Sequence, residues 1–237
     1  MNPITFFWKS SIGKKWLVAL TGLVLIGYVL GHLVGNLQVF AGPAQINAYA
    51  EFLHSKPFLL WVVRWFLIAC FVVHIAATIK LTLENNAAKQ INYEYRKLRP
   101  STIASRTMAI SGLVVLCFVI YHLLHLTLRA TDGRFRPLGH GGLLHGEYDV
   151  YTMIVLGFQP HGLGVFVALF YLLGVGLLCL HLSHGFSSVV QTFGLTTKRT
   201  HHPLVIGGRI LSGVIFLGYA SIPFGVWFGV LSLHASL

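Results

Sequence analysis

Five stretches of this chain are long and apolar enough to cross a lipid bilayer as helices, and they constrain the fold more than any motif does. They run over about 16–40, 58–83, 108–128, 164–186 and 204–233. A helical span needs about 20 predominantly apolar residues to match a hydrocarbon layer about 30 Å thick. None of the five alternates apolar and polar residues as a membrane barrel strand must, and each is too long for a strand of a soluble core. The composition agrees: 55% of the 237 residues are hydrophobic and 10% charged, with a mean hydropathy of +0.74. That is an integral membrane protein rather than a soluble domain. The expected fold is all-α, a single bundle of five transmembrane helices formed by residues 1–237.

The net charge of +11 is sorted by membrane side. Lys9, Lys14 and Lys15 precede the first span. Lys80, Lys89, Arg96, Lys97, Arg99 and Arg106 flank or separate the second and third, and Lys198, Arg199 and Arg209 surround the start of the fifth. The other side holds only Lys56, Arg64, Arg129, Arg134 and Arg136. An excess of Lys and Arg marks cytoplasmic connections, so the N-terminus is expected inside and the C-terminus outside. Charge arranged this way orients the chain and offers a docking surface for an acidic cytoplasmic partner; nucleic acid is not expected to bind. Residues 1–13 lack the layout of a removable signal, and the first apolar run is too long for a signal-peptide core, so it reads as a retained span.

The connection "AGPAQINAYAEFLHSKP" is external and ends at Pro57, a good helix starter. The connection "ENNAAKQINYEYRKLRPS" is basic and cytoplasmic, with Pro100 and Ser101 marking the start of the third span. The longest connection is external and rich in glycine, and its "YDVYTMIVLGF" part reads as a short interfacial helix with tyrosines at headgroup depth. No internal repeat or low-complexity tract stands out. Cys70, Cys117 and Cys179 lie singly in three spans, without the paired spacing of a zinc or iron–sulfur site.

Histidine is the residue that does not belong in these spans. His32 lies in the first, His74 in the second, His122 and His125 in the third, and His181 and His184 in the fourth, whereas the fifth has only His234 at its end. A lone histidine in a membrane helix commonly bonds to a neighbouring helix, but one on each of four consecutive spans points to a shared purpose. Depth decides the pairing. At ~1.5 Å per residue, His32 lies about 25 Å beyond Lys15, and His122, 16 residues after Arg106 on a span of the same direction, reaches nearly the same level. His74, 17 residues after Pro57, and His181, 17 after Gly164, sit on spans running the other way. The expectation is an outer pair, His32 with His122, and an inner pair, His74 with His181.

Two facing imidazoles suit a haem iron, which accepts one ligand on each side of its ring and, with both positions filled, transfers electrons rather than binding small ligands. Zinc wants three or four ligands. The six acids (Glu51, Glu84, Glu94, Asp132, Glu147 and Asp149) all lie in connections or at span ends, which also weakens a proton-pump or cation-transporter reading. No CxxCH motif is present, so two haems would be held non-covalently, as b-type. Without a nucleotide fingerprint or cysteine cluster, the chain is expected to anchor catalytic subunits and exchange electrons with a membrane quinone.

The blocks "SSIGKKWLVALTGLVLIGYVLGHLVGNLQVF", "NAYAEFLHSKPFLLWVVR", "YDVYTMIVLGFQ" and "HLSHGFSSVVQTFG" appear in the order seen in a known family. Over nearly its full length the chain resembles the five-helix, di-haem cytochrome b membrane anchor of succinate dehydrogenase/fumarate reductase, the succinate:quinone oxidoreductase of respiratory complex II. The resemblance implies a multi-pass protein of the cell's inner (cytoplasmic) membrane. It also implies an FAD-bearing flavoprotein subunit and an iron–sulfur subunit docked on the cytoplasmic side. Two b haems would pass electrons to or from menaquinone or ubiquinone, with room for a higher oligomer of the complex. The chain would thus be a subunit of an oxidoreductase without itself handling the dicarboxylate.

The family's axial histidines fall one on each of its first four helices, which implies His32 and His122 for the outer haem and His74 and His181 for the inner one. Histidine followed four residues later by glycine fits His181 and Gly185, and the lead-in "FVIYHL" favours His122 over His125. His125, His184, Gly35 and Gly185 would then line the haems without ligating them. Cytochromes b of other respiratory complexes commonly place two ligands on one helix, which this sequence does not. Candidate quinone contacts are Asn47, Tyr49, Glu51 and His54 outside, and Ser11, Lys15 and Arg106 inside. Two other readings stay open at this point: the cytochrome b anchor of another quinone-linked dehydrogenase, and a histidine-lined metal transporter.

Overall fold

A computed structural model describes residues 7–87 and 108–233 of the chain. Lys89, Glu94, Arg96, Lys97, Arg99, Pro100, Ser101, Arg106 and His234 lie outside the described residues. Among the described residues seven α-helices follow one another, with no strand: α1 (Ser11–Leu37), α2 (Pro43–His54), α3 (Pro57–Ala87), α4 (Met108–His122), α5 (Val150–Gly157), α6 (Leu163–Thr192) and α7 (His201–Trp227). Of these, α1, α3, α6 and α7 are long and apolar enough to cross a membrane, as is α4 together with the helical turn that continues it to Thr127. The fold is all-helical, and the protein is multi-pass by the length and composition of its helices.

α1 and α7 begin before the expected spans, and α3 and α6 overrun theirs at both ends, because backbone bonding does not stop where hydropathy does. Ser10 caps α1, its Oγ accepting from Gly13 N at 2.9 Å, so α1 begins before Trp16. The fifth span ends early. α7 stops at Trp227, and Gly229 takes φ +75°, a left-handed conformation open to glycine, while Leu231 N donates back to Gly225 O at 2.9 Å.

α6 is the central element. It packs against α1, α4, α5 and α7, while α1 also lies along α3 and α7. The core draws on Ile26 and Leu33 of α1, Phe118 of α4, Tyr171, Val175, Cys179 and Leu182 of α6, and Ile215 and Ile222 of α7. α4 reaches α6 closely because Gly174 has no side chain: a Cβ there would run into the Phe118 ring. α3 buries only Ala77 and otherwise presents an apolar outer surface, as a helix facing lipid should.

Two features depart from the sequence reading. α5 is not an interfacial helix, because Tyr151 through Gly157 are all buried. Its eight residues are apolar on nearly every face, the pattern of a helix enclosed by protein, and it is covered by α2 and α6. Tyr151 does not reach a headgroup: its hydroxyl donates to Ser232 O at 3.2 Å. Lys14 carries more than topology. It is fully buried, pairs with Glu84 at 2.8 Å, and donates to the carbonyls of Lys9 at 3.1 Å and Trp8 at 3.4 Å. That ion pair ties the first turn of α1 to the last turns of α3.

Candidate functional site

The membrane-embedded histidines gather into two pairs. His32 on α1 faces His122 on α4 with ring centroids 5.8 Å apart and planes at 86°. His74 on α3 faces His181 on α6 at 6.5 Å and 62°. Contacts fix their levels. His74 Nδ1 lies 3.1 Å from Thr21 Oγ1, near the start of α1, whereas His32 is eleven residues further along that helix. His181 Nδ1 lies 3.4 Å from Ser111 Oγ, near the start of α4, and His122 is again eleven residues on. One pair lies toward the Lys14 end of α1 and the other toward its far end.

Each pair has the spacing needed to hold one metal atom. Two imidazoles binding a common metal at about 2.0–2.1 Å, with about 1.1 Å from ring nitrogen to ring centre, put their centroids about 6 Å apart. Edge-on aromatic neighbours share that separation, so the donor atoms matter more. His122 Nδ1 is buried and has no hydrogen-bond partner, an arrangement native proteins avoid unless a ligand, ion or water completes it. A Cβ at Gly27 or Gly31, both exposed on α1, or at Gly185, one turn after His181, would meet nothing within 4 Å. Among the described residues no three His, Cys, Asp or Glu side chains gather as a metal-binding group, so the donor set is two imidazoles per level. That set suits a haem iron, whose ring supplies the other four ligands, and is poor for bare zinc.

The neighbouring histidines sit elsewhere. His125 is 2% exposed. Its Nδ1 lies 3.0 Å from the Tyr171 hydroxyl, and its ring stacks on Tyr121 at 5.4 Å. It occupies a π-helical turn, Leu123–Thr127, that continues α4. His184 is half-buried one turn beyond His181. Gly35 does not border open space: its bare Cα is covered by Tyr49, whose ring would stand 3.1 Å from a Cβ there.

The candidate outer quinone residues all lie on α2, but they are differently engaged. Asn47 uses both ends of its amide on the α5 start, donating to Asp149 Oδ1 and accepting from Tyr151 N, at 3.1 and 3.0 Å. His54 Nδ1 is 2.8 Å from Ala50 O, and its ring lies 4.6 Å from Tyr148. Glu51 is exposed, as are Ser11 and Lys15 at the other end. Asp149 anchors this region, accepting also from His145 N at 2.9 Å and Thr152 N at 3.1 Å. Burial pushes its carboxyl up, but these donors together hold it below its ordinary value.

The sequence reading missed Thr21 and Ser111. Their signal is a shared spacing: "TGLVLIGYVLGH" (21–32) and "SGLVVLCFVIYH" (111–122) each open on a hydroxyl and glycine and close on a histidine. The two segments form a short internal repeat. Comparison of the chain with family models, characterised proteins and solved structures finds no match.

Proposed function

We propose that this chain is the di-haem cytochrome b anchor of a succinate:quinone oxidoreductase, held in the inner membrane with its N-terminus in the cytoplasm. One observation carries the reading: four helices each contribute one histidine, and the four meet as two pairs on two levels. A haem held by these imidazoles would supply one-electron transfer. The chain's own residues do the rest. His74 and His181 hold the centre nearer the basic, cytoplasmic end, where an iron–sulfur subunit would dock beside the flavoprotein. His32 and His122 hold the outer centre, and the surrounding helices exclude water from both. Tyr49, Glu51 and His54 on α2 lie toward the outer level, where a quinone headgroup would exchange protons with the external side.

The test is a reduced-minus-oxidised spectrum with pyridine haemochrome analysis of the isolated complex, and identification of its co-purifying subunits. Two b haems per chain, with a flavoprotein and an iron–sulfur protein, are expected. One haem per fully loaded chain would refute the two-level assignment, and none would favour a metal transporter. Other soluble partners would make the chain the anchor of a different quinone-linked dehydrogenase.

A further inference from the structure

We propose that Thr21 and Ser111 are positioning residues for the pair His74–His181: each hydroxyl oxygen accepts from the Nδ1–H of one imidazole and leaves its Nε2 lone pair free for a metal. The proposal rests on the reading that this pair holds a haem iron. A hydroxyl has one hydrogen and two lone pairs. Thr21 Oγ1 donates its hydrogen to the Leu17 carbonyl at 2.6 Å, and Ser111 Oγ donates to the Met108 carbonyl at 3.2 Å. With those hydrogens committed, the oxygens facing the two imidazoles act as acceptors, which assigns the proton to Nδ1 of His74 and of His181; the Val18 backbone also accepts from the His74 ring. The hydrogen bond on one ring nitrogen sets which form the other presents.

The arrangement is built twice. Gly22, next to Thr21, lets the His74 ring approach: a Cβ there would lie 3.3 Å from its Cε1. Gly112, next to Ser111, likewise faces the His181 ring, although a Cβ there would make only ordinary contact at 3.6 Å. Unrelated packing contacts have no reason to repeat a hydroxyl–glycine pair against a histidine on two helices, at one level and in one register. The other pair lacks this support on at least one side, since His122 Nδ1 has no partner.

An imidazole that donates from Nδ1 is a more basic ligand, and a more basic ligand favours the more highly charged ferric state. Removing the hydroxyl should therefore raise the midpoint of the centre that His74 and His181 hold. Outer-sphere partners of metal-bound histidines are typically worth ten- to a hundred-fold in affinity. A tenfold change in ferric-over-ferrous preference corresponds to a shift of about 59 mV for one electron.

The experiment is a redox titration of the intact complex carrying Thr21→Val, Ser111→Ala or the rescue variant Thr21→Ser, with haem content measured in each. The spectral component lost in His74→Leu should move up by about 59 mV in the first two variants. It should keep its original midpoint in Thr21→Ser, and the component lost in His32→Leu should not move. Wild-type complex with two haems whose midpoints ignore both substitutions overturns the proposal, as does a shift confined to the other component. Wild-type complex without haem overturns the underlying haem reading instead. If Thr21→Val does not assemble, Ser111→Ala decides alone, since alanine suits its helical position.

Discussion

Replacing the four paired histidines one at a time by leucine tests whether the protein holds two centres at two depths. The structure sets the offset. His74 is level with Thr21, and His32 lies eleven residues further along α1, so about 16–17 Å separate the two levels at 1.5 Å per residue. The same count from Ser111 to His122 on α4 repeats that offset. One metal atom can join rings whose centres are 5.8 or 6.5 Å apart, but it cannot join His32 to His74. His32→Leu and His122→Leu should therefore abolish the same haem component, and His74→Leu and His181→Leu the other. Leucine approximates the volume of histidine, so each change should cost under about 1.5 kcal/mol of packing, and the remaining component should survive as an internal control. Low-temperature spectra and redox titration of the purified variants read the outcome. If His32→Leu and His74→Leu lose the same component and keep the other, the level assignment is wrong.

His125→Ala should keep both haems but destabilise the protein by about 2–4 kcal/mol, because it opens a cavity and strands the Tyr171 hydroxyl; haem content and thermal denaturation in detergent measure both effects. His184→Ala, at a half-buried position, should also keep both haems. Gly174→Ala should cost about 1–3 kcal/mol by driving a methyl group into the Phe118 ring, and unchanged thermal stability would show that α4 and α6 are not in close contact there. The Asp149 carboxyl, held below its ordinary 3.8, adds stability above about pH 4 that is lost as pH falls through its folded value. Asp149→Ala should thus lower stability at neutral pH by about 1 kcal/mol and flatten the acid limb of a pH–stability profile.

The pairing of the histidines was legible in the sequence because hydropathy marks where each span starts and consecutive spans must alternate in direction. Those two facts place His32 beside His122 and His74 beside His181 without any contact information, although span edges alone put the levels ~20 Å apart. The contacts of Thr21 and Ser111 shorten that. What the sequence hid are partnerships across long separations. Asn47 reads as a polar residue in a hydrated connection, and only the fold brings it to Asp149, 102 residues away. Lys14 reads as one of three lysines marking a membrane side, because Glu84 belongs to the far end of another helix. The burial of α5 could have been read, since "VYTMIVLG" offers no polar face to lie at an interface. The tyrosines beside it suggested headgroup depth, but Tyr151 is turned inward.

The eleven-residue spacing explains how two helices serve both levels. At 100° per residue, eleven residues return a side chain to within about 20° of its starting direction, whereas ten or twelve would turn it by about 80° or 120°. Thr21 and His32 therefore share one face of α1, and Ser111 and His122 one face of α4. Each face offers a hydroxyl to a histidine of the antiparallel neighbour at one level and its own histidine to the other parallel helix at the next. α1 and α3 form one such unit, α4 and α6 the second, and the two units meet where α1 packs on α6 and through their imidazoles. A bundle stabilised only by small residues between helices would gain nothing from that register. A bundle that must keep two flat centres apart, each with one ligand on either side, needs the faces of α1 and α4 aligned over three turns.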